Sequence, residues 1–365
     1  MLADTLLHQR HVPSVLDTPS GRIDSVAAFE KHKDTIRHTL ETYAYGRMPK
    51  TPDAVRFHVT GEEQNACAGH ATVRYLQADV DMDGKTFSFP FFEAIPKGPT
   101  QPCPAFVYIR FYQPIQDKYL PLEEIIDRGY AVFSFCYQDA TTDDGDFQNG
   151  VAPYLCPDRQ APDAPGKIAM WAWCAMRVMD YVATQNGIDQ QRVAVIGHSR
   201  LGKTALVAGA YDERFRYVIS NDSGCMGAAI TRDKVGESHE AIGRVFPHWF
   251  CPRFPTFSDR VDTLPYDQNF LLSLSVPRSI LVGSAEEDLW ADPASEFLSL
   301  YMTNEVYALY GMRGLISDGH VPSAPFISDH AGDASYHVRT GTHFISRNDF
   351  NVYMDFMDTK RTDRT

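Results

Sequence analysis

A three-layer α/β fold, with a mostly parallel sheet between two layers of helices, is predicted by three observations. Short apolar runs alternate with helical segments from the middle of the chain to its end, the order that crossover-connected strands require. Those runs are apolar on nearly every residue, as strands buried on both faces must be. The 365 residues are 44% hydrophobic and 12% aromatic, enough to build a sizeable core. The chain is read as one domain over residues 1–365, opened by a helix and a hairpin over about residues 1–95.

The first helix is placed from Ser25 to Tyr45, because Phe29, Ile36, Leu40 and Tyr43 recur near helical spacing and Gly46 can end it. A hairpin follows, Val73–Val80 and Thr86–Phe92, turning at Asp83-Gly84. Buried parallel strands are expected at Ala105–Ile109, Ala131–Tyr137, Val193–Ile196, Tyr217–Ser220 and Ser279–Val282, with a short one at Tyr336–Val338. Between the second and third lies a helix from about Lys167 to Thr184. It is apolar nearly all round, through Ile168, Met170, Trp171, Trp173, Met176, Val178 and Tyr181, so it belongs deep in the protein.

Composition excludes several classes. The net charge of -13 and the lack of a Lys/Arg run leave no basic face for nucleic acid. No apolar run approaches the roughly 20 residues that cross a bilayer. The N-terminus has no basic start followed by a long apolar stretch, which predicts a cytoplasmic protein unless a leader has been removed. Seven scattered cysteines without a CxxC pair read as free thiols, not as a disulfide framework or a zinc site. Asp79-Val80-Asp81-Met82-Asp83-Gly84 mimics a calcium loop, but its twelfth position would be Pro90 where a glutamate is needed. Asp143-Asp144-Gly145-Asp146 is read as a polar loop, and His8 and His11 as tail residues. No cofactor or metal is expected.

The sharpest chemical signal is Val193-Ala-Val-Ile-Gly197-His198-Ser199-Arg200-Leu201-Gly202-Lys203. A strand runs into a serine and an Ala/Leu-rich helix follows, the context of a nucleophile elbow. The usual pattern is G-x-S-x-G; here the second glycine falls one place late, at Gly202. Arg200 follows the serine, so its backbone N–H is placed for an oxyanion hole and its guanidinium adds a charged donor. Losing one such donor costs about 2.7–4 kcal/mol of transition-state stabilisation. The base should lie after the last strand, where His343 stands; His337 lies within the strand and is expected to pair locally. For the acid, Asp288 in the loop after Ser279–Val282 is preferred. Asp222, one strand earlier, is the alternative. The order serine, acid, histidine is that of the α/β-hydrolase fold.

Gly197-His198-Ser199-Arg200-Leu201-Gly202-Lys203 resembles the nucleophile motif of the glucuronoyl esterases, carbohydrate esterase family 15, which carry G-C/H-S-R-x-G-K. The resemblance extends through Asn221–Ala229, Gly236-Glu237, Ser284–Trp290 and Arg339–His343. It implies hydrolysis of esters that join glucuronic acid on xylan to alcohols of lignin. It also implies roles: Ser199 attacks, Arg200 stabilises the oxyanion, and Lys203, Glu237 and Trp290 hold the sugar of a small carbohydrate ester or glucuronoxylan fragment. Fungal members place a glutamate where Asp222 stands, and several bacterial members an acid where Asp288 stands. One departure is plain: the family's Asn-Phe-x-Gly-Asn-His stretch is replaced by Ile109-Arg110-Phe111-Tyr112-Gln113-Pro114. Two other readings share these residues, a different carbohydrate esterase such as an acetylxylan esterase, and an inactive carbohydrate-binding homologue.

Overall fold

The computed structural model describes residues 1–98, 102–115 and 117–362. Among them, strands β1 (Ala54–Ala66), β2 (Ala71–Met82), β3 (Lys85–Pro96), β4 (Cys103–Arg110), β5 (Ala131–Cys136), β6 (Ile188–His198), β7 (Tyr217–Asn221), β8 (Ser279–Ala285), β9 (Phe326–Ile327) and β10 (Ala334–Arg339) join one sheet. Its ten strands lie in the order β9-β10-β8-β7-β6-β4-β5-β3-β2-β1. The centre, from β10 to β5, is parallel. The meander β1–β3 continues the same sheet, because β3 pairs antiparallel with β5. This is the α/β-hydrolase fold, with every expected buried strand in place.

The hairpin turns where expected, and its strands run further than the sequence alone suggests. Asp83 and Gly84 both take positive φ, 52° and 71°, the primed-turn geometry that matches the twist of flanking strands. Pairing then continues from Met82↔Lys85 to Ala71↔Pro96.

The principal helices are α1 (Ala3–Gln9), α2 (Val26–Leu40), α3 (Lys167–Val182), α4 (Arg200–Tyr211), α5 (Pro293–Met302) and α6 (Arg347–Thr362). The sheet separates two cores, because successive side chains of a strand face opposite ways. Val107 and Ile109 of β4 join the core under α3 and α4, whereas Phe106 and Tyr108 join the core under α6. Trp171 and Trp173 of α3 are fully buried, as its all-round apolar sequence requires. Helix α2 stops at Leu40 and a single π-helical turn carries the chain to Tyr45, whose hydroxyl donates to Met226 O at 2.8 Å.

The expectation of a loose N-terminal tail at His8 and His11 is corrected. His8 lies in α1, which is pinned by Ala3 N–H to Gly319 O (2.8 Å) and by Arg10 Nη1 to Ser295 Oγ (2.6 Å). The segment is too short and too weakly amphipathic to show as a helix by periodicity; its docking partner lies some three hundred residues away. All seven cysteines are free and six are buried.

Ile196 of β6 is fully buried in the second core, three residues before Ser199. Ile196→Ala is expected to cost about 2–5 kcal/mol, read as a lowered urea midpoint with an unchanged slope.

Candidate active site

The site is built where β6 turns into α4. Ser199 occupies the turn with φ 57° and ψ -126°, a strained conformation for a residue with a side chain. Two glycines make the turn possible. A Cβ on Gly197 would stand 2.0 Å from Leu201 O, inside the first turn of α4. A Cβ on Gly202 would press on Ser223 Cβ at 3.0 Å and on Gly197 O at 3.1 Å, where α4 approaches the end of β7. The glycine one place late is thus fixed by helix–strand packing. Arg200 is the first residue of α4, so its N–H has no acceptor four residues back in the helix.

Ser199, Asp288 and His343 line one cavity of about 340 Å³, together with Arg200, Lys203, Asp222, Glu237 and Trp290. All eight residues singled out by sequence therefore meet at one place. His343 Nδ1 is 2.6 Å from Asp288 Oδ2. Burial works to raise the Asp288 carboxyl, but the hydrogen bond and charge of His343 outweigh it and hold it below its ordinary value. Ser199 Oγ and His343 are not hydrogen-bonded to each other among the described residues, and catalytic contacts of this kind are often long or poorly aligned away from the transition state.

His343 rests on a second imidazole. The His198 ring lies 4.4 Å from it, centroid to centroid. Asn221 Nδ2 donates to Tyr353 Oη at 3.1 Å, so its Oδ1 faces His198 Nδ1 at 2.7 Å and accepts the proton there. Burial first, then the neighbouring His343, pushes His198 down to about 3. It is therefore neutral and puts no positive charge under His343. His337, as expected, is buried and paired locally, Nε2 to Asp349 Oδ1 at 2.7 Å.

Asp222 behaves differently from Asp288. It is buried, takes a φ of 44°, and neither carboxyl oxygen has a hydrogen-bond partner. Its nearest cation is Arg339, Nη2 to Oδ2 at 3.6 Å. Burial, then the charges of Glu296 and Asp288, raise its carboxyl well above the ordinary value. The donor atoms of Asp222, Asp288 and His343 lie within 4.8 Å of one another. A cation there would have to displace the Asp288–His343 hydrogen bond and ionise Asp222, so the chemistry of this set suits proton handling better than metal binding.

Lys203 is buried, donates to Ser223 O at 2.5 Å and lies 3.8 Å from Glu237 Oε2. Burial lowers its amine, and Glu237 opposes that. Glu237 N–H donates to Trp290 O at 2.9 Å, which ties the two sugar-side loops together. The Trp290 ring stands at the rim, 59% exposed.

The reading of Asp143 as part of a polar loop is corrected. Asp143 is largely buried beneath Arg200 and pairs with its Nη1. It also takes hydrogen bonds from Trp249 Nε1 (2.6 Å) and Tyr137 Oη (3.1 Å), with His248 Nε2 at 3.0 Å. Burial works to raise its carboxyl, yet His248, Arg200 and Trp249 together draw it down to about 2. The Arg200 guanidinium lies 4.8 Å from the Trp249 ring centre and 5.7 Å from that of Phe111. No local pattern marks Asp143, because all its partners except Tyr137 are 57 or about a hundred residues away. Glu296 was likewise missed: fully buried, it accepts from Gly224 N–H (2.8 Å) and Ser284 Oγ (2.6 Å), and so holds the loop that carries Asp222.

Comparison with known proteins places the whole chain. The family described as glucuronyl esterase of fungi matches residues 78–311. A carbohydrate esterase from an unknown prokaryotic organism is 42% identical over 244 residues, 66% of this chain and 56% of its own length. The chain thus spans just over half of that relative. A 4-O-methyl-glucuronoyl methylesterase of Neurospora crassa is 27% identical over 314 residues, 82% of this chain and 73% of that one. Among solved structures, a promiscuous family 15 esterase from a marine bacterial metagenome superposes with a TM-score of 0.86 at 31% identity, covering 95% of this chain and 96% of that chain. A glucuronoyl esterase from Solibacter usitatus gives 0.86 at 30%, covering 95% and 97%.

Burial pushes Glu296 from its ordinary 4.5 up to about 7. Between those values the folded state binds the extra proton, so this group makes stability fall as pH rises from about 4.5 to about 7. Glu296→Gln, which mimics the protonated acid, is expected to flatten that segment in urea titrations at a series of pH values. Parallel curves for the two proteins would contradict the assignment.

Proposed function

From the premise that this chain belongs to the glucuronoyl esterase family, we propose that it is a serine hydrolase of uronate esters, cleaving (4-O-methyl-)glucuronic acid on xylan from lignin alcohols. The observation that carries the reading is the His343–Asp288 pair at 2.6 Å, lining with Ser199 the cavity that also holds Lys203 and Glu237.

Each step uses a group already placed. Ser199 Oγ attacks the uronate carbonyl carbon while His343 Nε2 takes its proton. Asp288, kept ionised, holds the other nitrogen protonated and stabilises the imidazolium. The oxygen of the tetrahedral intermediate is met by the Arg200 N–H, with the guanidinium held in place by Asp143 as a charged donor. The C–O bond to the alcohol breaks, and His343 returns the proton to the leaving oxygen. Water then attacks the acyl-enzyme, giving up its proton to His343, and glucuronate leaves from Ser199 as that proton returns to the serine. The product carries a carboxylate, and Arg200 with Lys203 supplies positive charge where it forms. An acetyl ester releases a carboxylate too, so what separates the two readings is the sugar on the acyl side, which Lys203, Glu237 and Trp290 of the same cavity can hold. Lys203, Glu237 and Trp290 hold the sugar, the first two by hydroxyl contacts and the last by its exposed ring.

The discriminating assay compares benzyl glucuronate with acetylated xylan. Uronate cleavage that disappears in Ser199→Ala is expected; acetyl release at far higher kcat/KM, with no uronate cleavage, would reject the reading. For the acid, Asp288→Asn is expected to lower kcat about 10³- to 10⁴-fold, because the imidazole loses its orienting charge. Asp222→Asn replaces a buried carboxyl that has no hydrogen-bond partner by its isostere and should lower kcat far less. Equal or reversed losses would overturn the assignment of Asp288.

A further inference from the structure

The sheet carries a second lined hollow that shares no residue with the catalytic cavity. It has a volume of about 450 Å³ and lies across β1 to β4, at the end of β4 where the sequence departs from the family motif. Its aromatic wall is Tyr75 of β2. Gly61 of β1 sits opposite Tyr75, and a Cβ there would lie 3.4 Å from Tyr75 Cδ2, so the ring rests on the glycine backbone. One side of that ring stays open, and the residue is 42% exposed.

Arg110 closes the other wall. It is only 6% exposed and its guanidinium lies 4.7 Å from the ring centre of Phe92, the cross-strand partner of Tyr75. Its Nε and Nη1 are buried and have no hydrogen-bond partner. Asp139 and Asp117 act on its charge from nearby, but neither bonds to it. Asp139 is instead engaged by Gln113 Nε2. A buried guanidinium with unpaired N–H groups is costly, and a carboxylate that reaches its groove-facing edge would be a charge-assisted acceptor for it.

We propose that this groove is a second saccharide-binding site, which takes a uronic acid unit bearing a free carboxylate. The sugar ring lies on Tyr75, the carboxylate meets Arg110, and hydroxyls exchange hydrogen bonds with Gln113 and Asp139. The choice of an acidic glycan rests on the glucuronoyl esterase reading; the groove itself does not. Phe111, the residue after Arg110, packs against Arg200, so groove and catalytic cavity flank the same strand end. A glycan carrying several uronates can thus be held by one while another is cleaved.

The test is calorimetric titration of the full chain with xylotriose bearing one free glucuronic acid, and with unsubstituted xylotriose. Two sites per chain are expected for the acidic probe. Arg110→Gln and Tyr75→Ala should each weaken one of them roughly tenfold to a hundredfold and leave kcat/KM on benzyl glucuronate unchanged. Tyr75 is at the surface, so its variant keeps the test valid if Arg110→Gln fails to fold. A single site, two sites indifferent to both substitutions, or equal groove binding of the neutral probe would overturn the proposal. Absence of benzyl glucuronate cleavage, by contrast, would count against the esterase reading and not against the groove.

Discussion

Everything in the site follows from the close crossing of β6 and α4. The strand ends in the middle of the sheet and the helix must start at once, against the end of β7, with no room for side chains at two points. A Cβ at Gly197 would collide with Leu201 O at 2.0 Å, and one at Gly202 would crowd Ser223. With those positions bare, the chain can reverse over a single residue, and Ser199 takes the strained φ of 57° that lifts its side chain into the cavity. Strain of this kind costs on the order of 1–3 kcal/mol and persists only because the surrounding packing over-determines it. The two cores provide that packing: Ile196 and Val195, just before the turn, are fully buried on opposite faces of the sheet.

Around the serine, burial sorts the titratable groups into roles. Asp288 has a partner in His343 and lies below its ordinary value. Asp222 and Glu296, close by and with weaker compensation, are pushed up. Three ionised carboxylates crowded together would repel, so two of them favouring the neutral form lets the third carry the charge that His343 needs. His198, driven down to about 3, keeps the ring beneath His343 neutral as well. The positive charge is placed in Arg200 and Lys203, each with its own carboxylate in Asp143 and Glu237. The one cavity therefore brings together proton-handling groups, positive charge and the nucleophile.

Much of this is legible before any coordinates. Buried parallel strands announce themselves because both faces must be apolar, and the elbow because only a strand, a serine and a helix in that order can build it. Chain order marks His343 as the base but leaves both Asp222 and Asp288 open as the acid, and only the fold shows that Asp288 is the one bonded to it. What stays hidden is contact between remote segments. Asp143 looks like any acidic loop residue, since nothing near it in sequence says that Arg200, His248 and Trp249 converge on it. Glu296 sits in an ordinary helical run, and its burial under the Asp222 loop is a property of the fold. Strand β1 is mostly exposed and largely polar, and α1 gains its order from Gly319 and Ser295, so neither has a periodicity strong enough to declare it.

The central claim is that the hydroxyl at the strained turn is the nucleophile and that His343 activates it. A fluorophosphonate probe reads this directly, because it phosphonylates an activated serine and stays attached for peptide mapping. The account predicts a label at Ser199 alone, formed far more slowly in His343→Gln. A label on another residue, or a rate at Ser199 indifferent to the loss of the imidazole, would contradict it.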